Sequence, residues 1–279
     1  MTIKTVLACL TDEQGADSLM KAAAALARRH TAHLIGLHTL EALMVYPAIA
    51  MHVPQDVYRT YGESQLKKAD ALKAIFDRHT HAEDFVAEWR LLKSQTQTAA
   101  ERIVESGRCA DVVMMSSAAA DSDHGAQMFL VEQVIRDAGR PVIVVPQGFD
   151  GTTLGQSILI GWNATRESAR AAHDALTLMR EGDMAHILRV DDTEYDAMRD
   201  ATSTDLAAAF ARYGIETTLI HVTWEDPSVA DTLNRTAFEK GADMISVGAF
   251  GHSRAYALVI GAATRKLLEH IDMPVMFSR

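Results

Sequence analysis

Three glycines near the carboxyl end, Gly248, Gly251 and Gly261, are spaced Gly-x2-Gly-x9-Gly within SVGAFGHSRAYALVIGAATRKLL, residues 246–268. They follow an apolar run, Met244 to Val247, and precede a stretch in which Leu267, Leu268 and Ile271 share a helical face. Glycine admits positive φ and leaves no Cβ between backbone N–H groups and an anion. A helix opening at Gly261-Ala262-Ala263-Thr264 would present free N–H groups and a positive dipole end, which suit a phosphate. Two such N–H sources facing one cavity make a phosphate cradle. The same spacing also suits a tight turn at Gly248 and Gly251 and a helix end at Gly261, so spacing alone leaves both readings open. His252 and Arg254 follow the second glycine, and a guanidinium there could grip phosphate oxygens in pairs; a solvated loop is the plainer alternative.

Other chemistry is sparse. The chain has no G-x-S-x-G elbow, Walker A lysine motif or H-E-x-x-H, and no catalytic nucleophile or water-activating base stands out. His30, His33 and His38 span a helix end and a strand, so their side chains diverge, and His79-x-His81 reads as a solvated helix terminus. The two cysteines, Cys9 and Cys109, form no CxxC; each reads as a buried, inert thiol in a reducing compartment. Asp226-Pro227 reads as a helix cap with proline in the first turn, and Trp224 as a packing residue. The apolar stretch Leu43 to Val53 reads as a loop that covers a pocket, forms an interface or folds back on the core.

The balance of 27 Lys and Arg against 37 Asp and Glu, a formal charge of −10, argues against nucleic acid as a partner. No apolar segment reaches the ~18 residues that span a bilayer. The start, MTIKTVLACLTDEQ, lacks the features of a signal peptide. The expected setting is the cytoplasm, without membrane attachment.

The elements that must position these glycines occur twice. A polar, glycine-rich connector from Pro146 to Gly155 divides 279 residues into two stretches. The first opens with VLACL (6–10) and the second with ILIGW (158–162), short apolar runs of the kind buried on both faces of a parallel sheet. An Ala-rich helix follows each; in the second, Ala169, Ala172, Leu176 and Met179 fall on one face. Then come the strands HLIGLHTL or HILRV, a helix, the third strand FVAEWRLL or IETTLIHV, and another helix. Ala-Asp precedes an apolar strand at Ala110-Asp111 and again at Ala242-Asp243, and Pro-Val opens a last strand at Pro141 and Pro274. Alternation of this kind predicts an α/β fold with two doubly wound parallel-sheet domains in tandem, residues 1–146 and 155–279. In such sheets ligands bind beyond the carboxyl ends of the strands, where strand order reverses. The segment from Gly248 to Gly251 leaves the sheet on that edge.

The glycine pattern, between a strand and a helix that leads to a Pro-Val strand, resembles the nucleotide-binding motif of the universal stress protein family. The stretch GAFGHSRAYALVIGAATRKLL is similar to tandem proteobacterial members, and GWNATRESARAAHDAL to the family's first strand-to-helix turn. The resemblance implies an adenine nucleotide alpha hydrolase-like fold and a stress-response protein that binds ATP, with AMP as the alternative, as a regulatory ligand of its second domain. It places Asn163 where the family has aspartate near ribose and adenine, and Val190 beside the adenine pocket. Val247, Gly248, Phe250 and Gly251 become the ribose and phosphate loop, and Gly261, Ala262, Ala263 and Thr264 meet phosphate oxygens through backbone N–H. Two departures weaken the pattern: Asn163 would hold Mg less well than aspartate, and Ala262 lacks a hydroxyl. The first copy has MSSAAADSDHG (115–125) in place of the glycines, with Asp121 and Asp123 repelling phosphate, and reads as a degenerate nucleotide site. The resemblance also implies that the last strands of the two domains pair within the chain, with a homodimer as a further step. Against this stand a weak Mg-dependent ATPase or phosphotransferase, and a ligand-free dimerisation scaffold.

Overall fold

In the computed structural model the described residues are 3–43, 45, 52–94, 98–118, 124–191, 197–223, 228–250 and 262–279. Trp224, Asp226 and Pro227, Asp121 and Asp123, and most of the stretch Leu43 to Val53 lie outside them. The first half runs β1 (Thr5–Cys9), α1 (Glu13–His30), β2 (His33–Leu40), α2 (Gln55–Thr80), β3 (Ala87–Lys93), α3 (Ala99–Gly107), β4 (Val112–Ser116), α4 (His124–Asp137) and β5 (Val142–Val145). The second repeats the order: β6 (Ser157–Gly161), α5 (Arg166–Leu178), β7 (Met184–Asp191), α6 (Ala197–Ala211), β8 (Glu216–Thr223), α7 (Val229–Lys240), β9 (Met244–Gly248), α8 (Ala262–Glu269) and β10 (Val275–Ser278).

The recurring Ala-Asp pairs clamp the start of each half. Asp111 Oδ2 accepts from the backbone N–H of Lys4 (2.7 Å) and Thr5 (2.9 Å), just where β1 begins. Asp243 accepts from Gly155 and Gln156, each at 2.9 Å, just before β6. The recurring prolines also have matched roles, with Pro141 O accepting from Val113 N and Pro274 O from Ile245 N.

All ten strands form one sheet in the order β3-β2-β1-β4-β5-β10-β9-β6-β7-β8. Each half is parallel throughout, and the halves meet where β5 and β10 pair antiparallel, with Val275 opposite Val144 and Phe277 opposite Val142. The carboxyl ends of the strands therefore point to opposite edges of the sheet in the two halves. Side chains alternate between the faces. On one face Val6, Ile143, Ile158 and Met276 pack under α1, α2, α5 and α6 in a single apolar cluster that runs through both halves. On the other, Leu7, Val144, Leu159 and Phe277 pack under α3, α4, α7 and α8. The buried stripe of α5 is Ala171, Ala172, Ala175 and Leu178, about one residue round from the expected face, so Ala169 and Leu176 are only half-buried. The helix is entered at the N-cap Thr165, whose side chain accepts from Ser168 N.

Two further expectations are corrected. Cys9 is buried, but Cys109 is exposed in the turn after α3. His79 is not a solvated residue: its Nε2 lies 2.9 Å from Asp17 Oδ1 and joins Arg78 and Lys21 on that carboxylate.

Where α1 ends against the second half, Arg29 forms an ion pair with Asp183, both side chains being nearly nine-tenths buried. Beside them His30 is buried. Burial, aided by the Arg180 and Arg29 charges, pulls the His30 pKa from 6.5 to about 4. An unfolded chain would take up this proton near pH 6.5, before the folded chain does. The contribution of a neutral His30 to stability is thus full above that pH and shrinks as the pH falls toward about 4. His38 and His186 are shifted in the same direction by burial. The urea midpoint should fall on acidification across this window, with a shallower fall in His30→Leu; equal slopes would contradict the assignment. Burial also pushes the Cys9 thiol far above its usual range. A maleimide should therefore label the native chain once, and Cys109→Ser should leave it unlabelled.

Candidate functional site

Strand order in the second half reverses between β6 and β9, where Ile160 lies opposite Ser246. On the other side of β6, Gly161 lies opposite Leu188 of β7. From this register Trp162-Asn163, Val190 and Gly248 leave three neighbouring strands at one level on the carboxyl edge, as a crevice at such a switch point requires.

Asn163 is exposed, and its Oδ1 accepts from the Thr165 hydroxyl (2.7 Å) and N–H (3.3 Å). Between them Ala164 has φ 56°, and Thr165 and Ser168 form a reciprocal cap on α5. Val190 is half-buried and Val247 buried, both on the face covered by α7 and α8. Ala249 N–H donates to Ser278 O at 2.7 Å, holding the exit from β9 against β10. Phe250 then turns with φ 64°, a conformation that is uncommon for a bulky side chain and strained. The Arg279 guanidinium stands 5.5 Å from the centre of its ring, a cation–π contact. Ala262 and Ala263 open α8, and Thr264 in its first turn is buried. Gly251, His252, Arg254 and Gly261 lie outside the described residues. The structure thus brings Asn163, Val190, Val247, Gly248 and Phe250 to one edge, with α8 beginning a short chain distance on.

Gly248 has a reason to be glycine that is independent of any ligand. A Cβ there would come within 2.5 Å of the Glu167 carbonyl carbon and 2.7 Å of Ser168 N, at the first turn of α5. The first half makes the same helix–strand crossing with the glycine on the other partner. The residue equivalent to Gly248 is Ser116, and the residue equivalent to Ser168 is Gly15, whose added Cβ would meet Ser116 Cβ at 2.4 Å. Ser116 Oγ in turn donates to Asp12 Oδ2 (2.9 Å), while Asp12 Oδ1 accepts from Gly15 N (2.7 Å). The carboxylate at the first turn of the first half is therefore buried and committed to local bonds.

Sequence reading missed a charged cluster next to Val190. Arg189 reaches both oxygens of Asp191 (2.8 and 3.1 Å), and His221 Nε2 lies 2.7 Å from Asp191 Oδ2. The Arg189 hydrogen bonds lead in holding the Asp191 carboxyl below its usual range. Arg189 and Asp191 share a strand face, and His221 is the direct neighbour of Arg189 on β8; an R-x-D at the end of a strand was the available signal. Mg has no ready-made seat in this arrangement. Asn163 Oδ1 is already engaged, and among the described residues no three His, Cys, Asp or Glu side chains converge.

Comparison with known proteins adds a family match for the second half and a fold for the chain. Residues 156–279 match the model of the universal stress protein family. A universal stress protein from Archaeoglobus fulgidus superposes over 98% of this chain and 96% of its own, with a TM-score of 0.72 at 14% identity. A putative universal stress protein from Pseudomonas aeruginosa covers 99% of this chain and 93% of its own, with a TM-score of 0.58 at 15% identity. A functionally unknown protein from the same species covers 99% and 92%, with a TM-score of 0.55 at 14% identity. No curated protein matches the chain in sequence. The structural likenesses extend the α/β fold over nearly the whole chain.

The exchanged glycines make a stability prediction that needs no ligand. Gly248→Ala and Gly15→Ala should each destabilise the protein by about 1–3 kcal/mol, the usual range for overpacking. Urea unfolding without nucleotide measures this, and a wild-type midpoint for either variant would show that the crossing relaxes freely.

Proposed function

Proceeding from the match of residues 156–279 to the universal stress protein family, we propose that residues 155–279 form a domain that binds ATP, or AMP, as a regulatory ligand. Residues 1–146 form a second domain of the same fold whose own nucleotide site is degenerate. The supporting observation is the emergence of three strand ends at one level on the carboxyl edge, with α8 as the next described element after β9 in the chain. In this reading Val190 and Val247 wall the adenine and Asn163 lies near the ribose. Gly248, Phe250 and Gly251 follow the ribose and phosphates, and Arg254 meets a phosphate. Backbone N–H groups from Gly261 to Thr264, which include the free donors of a helix start, complete the cradle.

Mg would arrive with the phosphates, because the described residues offer it no preassembled ligand set. Binding then acts by population shift, favouring the conformation in which the Gly248–Gly251 segment closes on phosphate. No described helix is long and apolar enough to cross a membrane. We read the protein as a cytoplasmic stress-response binder that homodimerises rather than as a dedicated enzyme.

Calorimetry with ATP, with and without Mg, tests this reading. Saturable heat without phosphate release is expected, and sustained phosphate release would replace regulation with catalysis. Gly261→Glu should abolish binding by filling and repelling the phosphate site, while Ser117→Ala and Ala118→Ser should leave affinity unchanged. An unaltered Kd in the Gly261 variant would refute the site.

A further inference from the structure

The first half also has an opening at the carboxyl ends of its strands, and its chemistry differs from a phosphate cradle. A cavity of about 320 Å³ lies beyond β1 and β2, within the range of small-molecule sites. Leu10, Leu37, Ile103 and Leu130 give it an apolar wall. Tyr61, Gln65 and Lys68 line it from α2 at i, i+4 and i+7, one face of that helix.

Two buried polar atoms of its lining have no hydrogen-bond partner: His38 Nε2 and Thr39 Oγ1, on residues 4% and 8% exposed. His38 Nδ1 lies 2.7 Å from Leu10 O, and a carbonyl can only accept, so the ring proton sits on Nδ1. Nε2 is therefore a lone-pair acceptor, buried on a residue that lines the cavity, and it needs a donor. Burial is the main influence keeping the ring neutral; Lys68 acts in the same sense and Glu41 opposes it. These two charges stand at the cavity with opposite signs. Glu41 Oε1 accepts from Ala99 N at the start of α3, which leaves Oε2 to the opening. Lys68 has no carboxylate partner among the described residues. A polyphosphate would meet one cation, one carboxylate and a buried acceptor, a poor match. A molecule of no net charge fits all three.

We propose that this cavity binds an aromatic amino zwitterion. Its ring lies on the apolar wall and gives an N–H or O–H to His38 Nε2, its ammonium faces Glu41 and its carboxylate faces Lys68. The proposal is independent of nucleotide binding, since it uses other residues at the opposite edge of the sheet.

L-tryptophan is the probe, titrated calorimetrically into the full chain beside 1-methyl-L-tryptophan, which lacks the ring donor. Saturable binding is expected. N-methylation should weaken it by about tenfold or more, as should His38→Phe, because a buried acceptor or donor loses its partner. Lys68→Glu should weaken it as well, and saturating ATP should leave it unchanged. Absence of tryptophan binding, equal affinity for the methylated compound, or displacement by ATP would each overturn the proposal. If His38→Phe fails to fold, the two probes on the unaltered chain still decide.

Discussion

The antiparallel pairing of β5 with β10 is the contact on which the architecture depends. Every residue of β5, and Val275, Met276 and Phe277 of β10, is fully buried. Separated, each half would end in an apolar strand with unpaired N–H and C=O groups, the kind of edge that recruits other chains. Joined, they place those groups in the ladder and make two five-stranded sheets into one. The edges left open, β3 and β8, consist wholly of exposed and half-buried residues and carry charge, which suits an edge facing water.

The direction of that pairing also separates the two ligand edges. A parallel seam would have set both crevices side by side, where bound molecules could touch. The antiparallel seam sends them to opposite edges, so any influence of one on the other must travel through the packed body. The means are present at the boundary: the Arg29–Asp183 ion pair, the bond from Gly148 N to Ser18 Oγ, and the reach of Arg279 to Arg136 O on α4. Arg279 also covers Phe250, so one side chain touches the candidate loop of one half and a helix of the other.

The alternation of apolar runs and Ala-rich stretches was enough to read the fold, because a buried parallel strand and an amphipathic helix impose different periods. The Ala-Asp and Pro-Val recurrences were legible as repetition but not as mechanism. Nothing in a lone aspartate says that it will gather the backbone N–H groups of a segment some hundred residues away, as Asp111 does for Lys4 and Thr5. The glycine at 248 was legible as a need for space, but the occupant of that space, the first turn of α5, required coordinates. Cys109 was misplaced because an apolar neighbourhood in sequence ends abruptly at a turn. The cavity of the first half escaped notice because a search for a glycine loop passes over a histidine whose tautomer depends on a carbonyl just past the end of β1.

The exchange of Gly15 with Ser116 for Ser168 with Gly248 bears on how such a chain can change through inheritance. Duplicated coding segments are prone to recombine with each other, and each crossover would graft the opening of one half onto the closing of the other. One product would set serine against serine where only a single side chain fits, and the other would set glycine against glycine and leave a gap. Either way the hybrid loses a contact that both parents keep, so the two copies can drift in ligand chemistry without being drawn back into one.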